Sequence, residues 1–302
     1  EFFKGQAGFP RFKKKSRQDV KLYFPRNNKG DWKIWRHKLM IPTLKQVKLK
    51  EYGYLPVGVA VISGTVSYQA GRFYVSVVAD VEETSRYNND WAASCHPQSE
   101  GIGIDLGIKN LAIVSNGQTF KNINKSSKVR RLEKRLRRMQ RQLSRKYELK
   151  KKKGGAPAIA SANIDKQKLK VQKLHQRIKQ IREDHENKTI HEIVKQKPSF
   201  VTVEDLNIKG MMKNKHLAKS VAAERFYSFL SKLKCKAEII GIELRVVDRF
   251  YPSSKTCHAC GYIHKGLKLQ DRMYVCPKCG YMIDRDLNAS LNLRDAKEYQ
   301  TA

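Results

Sequence analysis

The architecture of the chain follows from Gly101-Ile-Gly-Ile-Asp-Leu-Gly107, an apolar run with one acidic residue, Asp105, near its end. A short apolar run between glycines predicts a buried strand. The next apolar run, Leu111-Ala-Ile-Val-Ser115, is followed by Asn116-Gly117. Because an Asn-Gly pair between apolar runs is the strongest short hairpin signal, the sequence predicts a strand that ends near Asp105 and continues into a hairpin.

A second buried strand is predicted by Ser199-Phe-Val-Thr-Val-Glu-Asp-Leu206, which ends at Glu204. An amphipathic helix from Ala222 to Ile240 follows, with Gly241 as its stop, and residues 242–248 predict another strand. Because strands precede helices and acidic residues stand at strand ends, we expect an α/β architecture whose site lies along the strand ends.

Between these strands, residues 128–194 predict two long helices with a break at Lys153-Gly-Gly-Ala-Pro-Ala158. A narrow apolar seam indicates an antiparallel helical hairpin. The first half, from Lys128 to Lys153, contains 14 Lys or Arg residues against two Glu residues. A solvated helix surface is one interpretation, but so dense a block of one sign favours contact with a polyanion. The residues expected to bind nucleic acid here are Arg130, Arg131, Lys134, Arg135, Arg137, Arg138 and Arg141.

Residues 1–98 carry strand signals at 57–63 and 73–81, with turns predicted at Gly64 and Gly71, and indicate an antiparallel β unit. The opening Phe9-Pro-Arg-Phe-Lys-Lys-Lys15 mixes aromatic and basic side chains. Such a mixture can stack on bases and neutralise phosphates. Arg11 and Lys13 are therefore candidates for nucleic-acid binding, and a solvated basic edge is the alternative.

The overall charge points to the same class of partner. The chain has 62 Lys and Arg residues against 28 Asp and Glu, a net charge of +34. So large a charge makes the compact state repel itself unless a polyanion lies against it. The sequence contains no run of about 18 apolar residues and no secretory leader. We therefore expect a soluble, cytoplasmic, nucleic-acid-binding protein with no membrane partner.

Two cysteine pairs, Cys257-His-Ala-Cys260 and Cys276-Pro-Lys-Cys279, are separated by 15 residues, and each is followed by Gly-Tyr. Two such pairs can present four thiolates tetrahedrally, which closes the shell of a metal ion and leaves no open position for catalysis. The spacing predicts one structural Zn²⁺ bound by Cys257, Cys260, Cys276 and Cys279.

A second constellation consists of acids that are far apart in sequence: Asp105, Glu204 and one acid of Asp284-Arg-Asp286. Converging carboxylates repel one another, so they generally need cations to hold them together. Two Mg²⁺ ions bound there can support phosphodiester hydrolysis. Asp286 shares a helix face with Ala289 and Leu293, so it is the expected third ligand, with Asp284 as the alternative.

These motifs resemble those of the TnpB (OrfB) proteins of insertion sequences. The resemblance is carried by Gly101-Ile-Gly-Ile-Asp-Leu-Gly107, Val203-Glu-Asp-Leu-Asn207, Arg249-Phe-Tyr-Pro-Ser-Ser-Lys-Thr-Cys257 and Asp284-Arg-Asp-Leu-Asn-Ala289. It implies an RNA-guided DNA endonuclease with an RNase H-like RuvC domain whose metal ligands are Asp105, Glu204 and Asp286. The implied partners are a guide RNA from the end of the element and a double-stranded DNA target.

The resemblance also implies a domain organisation. Residues 1–98 are expected to form a partial, wedge-like β-barrel, and residues 99–253 the first part of the RuvC domain, with a helical hairpin at 126–195. The zinc ribbon is expected at 254–283, and the last RuvC motif and the tail at 284–302. TnpB proteins normally have a further segment ahead of the Phe-rich stretch, and we expect that segment to be missing here.

Three other functions are compatible with parts of this pattern. Type V CRISPR effectors share the same core. A guide-dependent DNA-binding regulator of transposition that does not cut would have no need of the three acids together. A protein-only nuclease or transposition factor would need neither the ribbon nor the basic helices.

Overall fold

The computed structural model describes residues 20–27, 30–55, 57–80, 100–152, 158–268 and 270–301. The chain divides into two compact units, Glu1–Asp90 and Trp91–Ala302. Arg11 and Lys13, the basic candidates of the opening segment, lie outside the described residues. Across the described residues, no helix combines the length and the apolar character that crossing a bilayer requires.

The first unit contains two antiparallel three-stranded sheets. One has the order β1-β5-β6 and the other the order β2-β3-β4. Both contribute to one apolar cluster that includes Trp32, Leu39 and Val61. The antiparallel β unit predicted here is therefore present. Its strands are β1 (Lys21–Pro25), β2 (Lys33–Ile34), β3 (Lys38–Ile41), β4 (Lys45–Lys48), β5 (Ala60–Gln69) and β6 (Arg72–Asp80).

The predicted turn at Gly64 is wrong, whereas the turn at Gly71 is confirmed. Gly64 lies inside β5, where the ring of Trp32 packs directly on the backbone. A Cβ atom at this position would stand 2.2 Å from Cη2 of Trp32. Ala70 and Gly71, at φ 49° and 81°, form the tight connection to β6 instead. Gly64 therefore serves a close ring contact and not a change of chain direction.

The second unit is built on a six-stranded mixed sheet with the order β14-β11-β10-β7-β8-β9. β10 runs parallel to both β7 and β11, whereas β8, β9 and β14 join antiparallel. The α/β expectation is confirmed. The strands of this unit are β7 (Ile102–Leu106), β8 (Asn110–Val114), β9 (Thr119–Lys121), β10 (Phe200–Glu204), β11 (Glu243–Val247), β12 (Met273–Val275), β13 (Met282–Asp284) and β14 (Gln300–Thr301).

Helices cover both faces of this sheet. On one face, Phe226, Phe229 and Leu233 pack on the apolar side chains of β7 and β10. On the other face, Leu293 packs against Val247. The helices are α1 (Ser127–Lys152), α2 (Ala158–Lys195), α3 (Ile208–Lys213), α4 (Ala218–Glu224), α5 (Phe226–Ile240) and α6 (Arg285–Arg294), with a short 3₁₀ turn at Ile123–Lys125.

The two predicted long helices are present as α1 and α2. Val129 and Leu136 of α1 pack against Val171, Leu174 and Ile178 of α2, so the contact is a narrow apolar seam. Near its end, α2 also contributes to the main core of the unit. The helix pair is thus attached to the sheet by the end of α2.

The single helix predicted from Ala222 to Ile240 is wrong, because the chain breaks at Arg225. Arg225 has φ 59° and separates α4 from α5. Its guanidinium lies 3.1 Å from Glu183 and donates a hydrogen bond of 3.2 Å to Ser228. Apolar periodicity continues across the break, which is why the sequence predicts one helix. Gly241, at φ 79°, ends α5 as expected.

Glu224, the last residue of α4, is buried next to two asparagines that precede α1. The side-chain amides of Asn122 and Asn124 both donate to Oε1 of Glu224. Burial raises the pKa of Glu224 to about 7, against the opposing effect of these hydrogen bonds and of Lys125. Between pH values of about 4.5 and 7, the folded protein is expected to hold a proton on Glu224 more often than the unfolded chain does.

This raised pKa predicts the sign of a pH effect. The pKa of Glu224 is about 7 in the folded protein, and its ordinary value, expected for the unfolded chain, is 4.5. Between these pH values the folded protein therefore binds more protons than the unfolded chain does. The free energy of unfolding of the wild type should therefore fall as pH rises from 5 to 8. Glu224→Gln keeps the acceptor oxygen and removes this contribution. Chemical denaturation should show the variant gaining stability relative to wild type with rising pH; a constant difference would contradict the assignment.

Candidate carboxylate and metal sites

The three predicted acids come from three elements of the same unit. Asp105 lies near the end of β7, Glu204 is the last residue of β10, and Asp286 lies in the first turn of α6. β7 and β10 are parallel neighbours, with Ile104 opposite Val203. Because side chains alternate along a strand, Asp105 and Glu204 point away from the core that Ile104 and Val203 enter. The two strands thus present both acids on the face that α6 covers.

Gly103 explains how α6 comes so close to these strands. A Cβ atom on Gly103 would stand 2.0 Å from the carbonyl oxygen of Ser290 and 2.4 Å from the amide nitrogen of Arg294. The backbones of β7 and α6 are therefore in direct contact, which only glycine allows. This contact brings the first turn of α6 to the side of the sheet where Asp105 lies.

Asp284 and Asp286 have different local roles. Asp284 is the N-cap of α6, and its Oδ1 accepts hydrogen bonds from the amides of Asp286 and Leu287 at 3.0 and 3.1 Å. A cap of this kind stabilises a helix by about 1 kcal/mol. Asp286 is only 18% exposed, and its Oδ1 lies 3.6 Å from Arg285.

The electrostatics of Asp105 reflect the convergence of the acids. Burial, followed by the negative charges of Glu204 and Asp286, raises the pKa of Asp105 to about 8, and only Arg285 opposes this shift. Burial also raises the pKa of Glu204, and a hydrogen bond from Ser253 opposes it. The cluster therefore holds more negative charge than its protein surroundings balance. This is the condition under which carboxylates take up protons or cations.

The sequence did not predict Ser253, which contacts Glu204, or the two asparagines that bind the segment around Ser253. The hydroxyl of Ser253 donates to Oε1 of Glu204. Asn288 and Asn292 of α6, both buried, bind the backbone of residues 253–258. Their i,i+4 spacing on α6 was the only available signal, since nothing in the sequence says which segment lies against them.

The four cysteines lie close together, and the first of them, Cys257, belongs to the segment that Asn288 and Asn292 bind. Sγ of Cys257 lies 3.7 Å from Sγ of Cys279, and Sγ of Cys260 lies 3.6 Å from Sγ of Cys276. Four thiolates around a zinc ion at about 2.3 Å stand about 3.8 Å apart, whereas the sulfurs of a disulfide stand about 2.05 Å apart. The cysteines could therefore hold a metal such as zinc. Among the described residues, they form the only group of three or more His, Cys, Asp or Glu side chains whose potential ligand atoms all lie within 4.8 Å of one another.

The seven predicted basic residues of α1 are all exposed. They lie on the part of the helix that the seam with α2 leaves free, and several line shallow surface depressions together with Arg177. Glu133, an acid among them, pairs with Arg182 of α2 at 3.0 Å. One side of the helix pair is therefore a dense, solvent-facing cationic surface.

Comparison with protein families finds two matches along the chain. Residues 76–215 match the OrfB_IS605 family, described as "Probable transposase", and residues 226–293 match the Cas12f1-like TNB domain. The first match includes Asp105, Glu204 and the basic helices. The second includes the four cysteines and Asp286.

Among individual proteins, a "Putative RNA-guided DNA endonuclease" of Streptomyces pristinaespiralis is 30% identical over 295 residues, which cover 97% of this chain and 66% of that protein. The "Putative RNA-guided DNA endonuclease InsQ" of Escherichia coli K12 is 29% identical over 307 residues, or 97% of this chain and 69% of that protein. The chain thus spans about two thirds of the length of these relatives. A cryo-EM structure of a CRISPR-Cas12f ternary complex aligns with TM-score 0.48 at 19% identity, over 82% of this chain and 47% of that chain.

Proposed function

We propose, from the premise that this chain belongs to the TnpB (OrfB) family, that it contains the catalytic centre of an RNA-guided, metal-dependent DNA endonuclease. The observation that carries the proposal is that Asp105 and Glu204, on adjacent parallel strands, lie on the sheet face that α6 covers, while Asp286 stands in the first turn of α6. A protein that only bound DNA would gain nothing from carboxylates that repel one another and the phosphates. An enzyme that binds divalent cations needs such carboxylates as metal ligands.

The donor set of this cluster suits Mg²⁺. Hard divalent cations prefer carboxylate oxygens, and the unbalanced charge that raises the pKa of Asp105 is the charge that a cation would offset. Two Mg²⁺ ions bound by Asp105, Glu204 and Asp286 would supply charge neutralisation at the phosphate and a more acidic water. The protein contributes rigid placement, since two of the acids are on strands and the third is on a helix fixed by backbone contact.

Asp286 is proposed as the third metal-binding acid, rather than Asp284. An oxygen of Asp284 already accepts two backbone hydrogen bonds as the cap of α6. Asp286 raises the pKa of Asp105 more than Asp284 does. Asp284 then acts indirectly, because it fixes the first turn from which Asp286 projects.

For the four cysteines we propose one structural Zn²⁺. The Sγ separations of 3.6 and 3.7 Å suit a closed tetrahedral shell. The apolar support around the cluster is small: Tyr274 is its largest buried side chain, with Leu267, Tyr281 and Ile283 partly buried around it. A fold with so little core gains most of its stability from the metal.

We also propose the domain organisation that the resemblance implies. It comprises the RNase H-like RuvC domain at 99–253 and 284–302, the hairpin insertion at 126–195, the zinc ribbon at 254–283 and the wedge-like barrel at 1–98. The proposed partners are a guide RNA and a double-stranded DNA target. The adjacent, parallel strands that carry Asp105 and Glu204 support the RuvC assignment.

A type V CRISPR effector is the second candidate. It is favoured by the match of residues 226–293 to the Cas12f1-like TNB domain. Both candidates use a guide and the same carboxylates, so they differ in the origin of the RNA. Sequencing the RNA that copurifies with the protein distinguishes an element-end transcript from a CRISPR repeat transcript. Cleavage of a DNA target that matches this RNA, in the presence of Mg²⁺, tests the activity itself.

We predict that Asp105→Asn, Glu204→Gln and Asp286→Asn each lower the rate of guided DNA cleavage more than about 100-fold. Loss of a residue that only orients a metal ligand costs up to about 100-fold, so loss of a ligand should cost more. RNA binding should stay near wild type, because these acids bind metal and not nucleic acid. At neutral pH, Asp105→Asn should also raise the free energy of unfolding of metal-free protein, since it removes a carboxyl that the fold holds protonated against its ordinary ionisation. Asp184→Asn, at an exposed acid of α2, is the control. Full cleavage by Asp286→Asn beside an inactive Asp284→Asn would reverse the choice of third acid.

We predict one Zn²⁺ per chain in protein purified without chelator. Cys276→Ser should lower the zinc content measured by mass spectrometry to well below one and should loosen the ribbon, because three ligands hold zinc poorly. Cys235→Ser is the matched control, since Cys235 is an exposed cysteine of α5 outside the cluster. A zinc content near zero in the wild type, with folding unaffected by Cys276→Ser, would refute the site.

We predict that the cationic surface of α1 binds the phosphate backbone of guide RNA or of the RNA–DNA heteroduplex. Replacing Arg130, Arg135, Arg137 and Arg138 by Gln should weaken binding equally for different guide sequences. It should also flatten the slope of log affinity against log salt, by about 3 if all four contact phosphates. The seam residues are untouched, so the fold should persist.

The control for this experiment removes the same charge elsewhere. Lys213, Lys215, Lys219 and Lys236 are exposed and lie outside the helix pair, and their replacement by Gln gives the same net charge. If both quadruple variants weakened binding alike, the effect would come from total charge and not from α1. Wild-type affinity and salt slope in the α1 variant would mean that its surface is only solvated.

A further inference from the structure

The segment between β11 and the first cysteine pair approaches the carboxylate cluster at Ser253. Ser253 is 5% exposed, and its hydroxyl donates to Oε1 of Glu204. Glu204 is the last residue of β10. Its backbone pairs with Val247 of β11 but lies beyond the residues that pair with β7. The hydrogen bond from Ser253 engages one carboxylate oxygen and thereby orients the other.

Ser253 is itself fixed by α6. The side-chain amide of Asn292 donates to the carbonyl oxygens of Ser253 and Thr256, both at 2.7 Å. Asn288 donates to the carbonyl of Thr256 at 2.7 Å, and its Oδ1 accepts a hydrogen bond of 3.1 Å from the amide of His258. The exposed fractions of Asn288 and Asn292 are 0% and 6%. Two buried amides of one helix thus hold the residues on both sides of Cys257.

The same helix carries Asp286 and packs its backbone on Gly103, two residues before Asp105. One rigid element therefore sets the position of Asp286 directly and that of Glu204 through Ser253. Buried polar groups with every hydrogen bond satisfied fix a single arrangement more strictly than apolar packing does. Partners that orient a metal ligand in this way commonly contribute to metal affinity.

We propose that Ser253 is a positioning residue that orients the Glu204 carboxylate for metal binding, and that Asn288 and Asn292 fix Ser253 from α6. The inference depends on the proposed function in one respect, since it takes Glu204 as a metal-binding acid. It adds a requirement that the three acids alone do not contain. The segment that leads into the cysteine cluster is part of the carboxylate site.

The test is the affinity for Mn²⁺, a paramagnetic stand-in for Mg²⁺. Free Mn²⁺ is titrated by electron paramagnetic resonance against the full chain with zinc bound and nucleic acid removed. Ser253→Ala should weaken Mn²⁺ binding by about 10-fold or more and should raise by a similar factor the Mg²⁺ concentration that gives half-maximal cleavage. Excess Mg²⁺ should recover most of the rate. Ser253→Thr keeps the hydroxyl and should bind Mn²⁺ nearly as the wild type does.

The matched control is Ser228→Ala. Ser228 donates a 2.6 Å hydrogen bond to Glu186, a buried carboxylate outside the site. The loss of an equivalent serine–carboxylate bond there should leave Mn²⁺ affinity unchanged. Equal Mn²⁺ affinity in wild type and in folded Ser253→Ala would overturn the proposal.

A double-mutant cycle tests the role of α6. Asn292→Asp removes both donated hydrogen bonds and should also weaken Mn²⁺ binding. Because Asn292 acts through Ser253, the double variant should bind no more weakly than Asn292→Asp alone. If the losses of Mn²⁺ affinity in the two single variants multiplied in the double variant, the indirect role of Asn292 would be overturned. If Asn292→Asp does not fold, the comparison of Ser253→Ala with Ser228→Ala still decides the role of Ser253.

The outcomes separate this inference from the proposed function. Weaker Mn²⁺ binding in Ser253→Ala, with no guided cleavage by any form, would count against the nuclease and leave the positioning role standing. Guided cleavage by the wild type with no effect of Ser253→Ala on either metal dependence would overturn the positioning role alone. A wild type that binds no Mn²⁺ would overturn both.

Discussion

The direct backbone contact between β7 and α6 sets the geometry of the second unit. At Gly103 a helix and a strand meet with no side chain between them, since a Cβ atom there would overlap the carbonyl of Ser290. The contact ties the last helix of the chain to the first strand of the sheet, almost two hundred residues earlier. Close packing of this kind tolerates little displacement. Any group on the first turn of α6 is therefore fixed relative to Asp105.

That rigidity is what allows three carboxylates to lie together. Burial, followed by the negative charges of Glu204 and Asp286, raises the pKa of Asp105, so the three acids repel one another when they are ionised. The opposite face of the sheet holds them in place, because Ile104, Val203 and their neighbours are buried against α5. Hydrophobic burial on one face of the sheet thus offsets electrostatic repulsion on the other.

Much of this arrangement could be predicted from the sequence. Strand ends, helix seams and paired cysteines are local patterns, so apolar runs and spacing predict the strands that end near Asp105 and at Glu204 and the grouping of the four cysteines. The failures have a different origin. Gly64 looked like a turn because its partner, the ring of Trp32, is distant in sequence. The break at Arg225 depends on Glu183, which belongs to another helix. Ser253 has no local signature either, since its acceptor lies 49 residues away.

The segment that carries the four cysteines is connected to the acidic residues at both of its ends. This segment begins at residues whose backbone is bound by Asn288 and Asn292, and it ends in β13, whose last residue, Asp284, caps α6. Both of its ends are therefore attached to the helix that carries Asp286. Because its own core is small, its conformation depends on these attachments and on the cysteine cluster. One end contacts Glu204 through the Ser253 hydroxyl, and the other contacts the Asp286 amide through the Asp284 carboxylate.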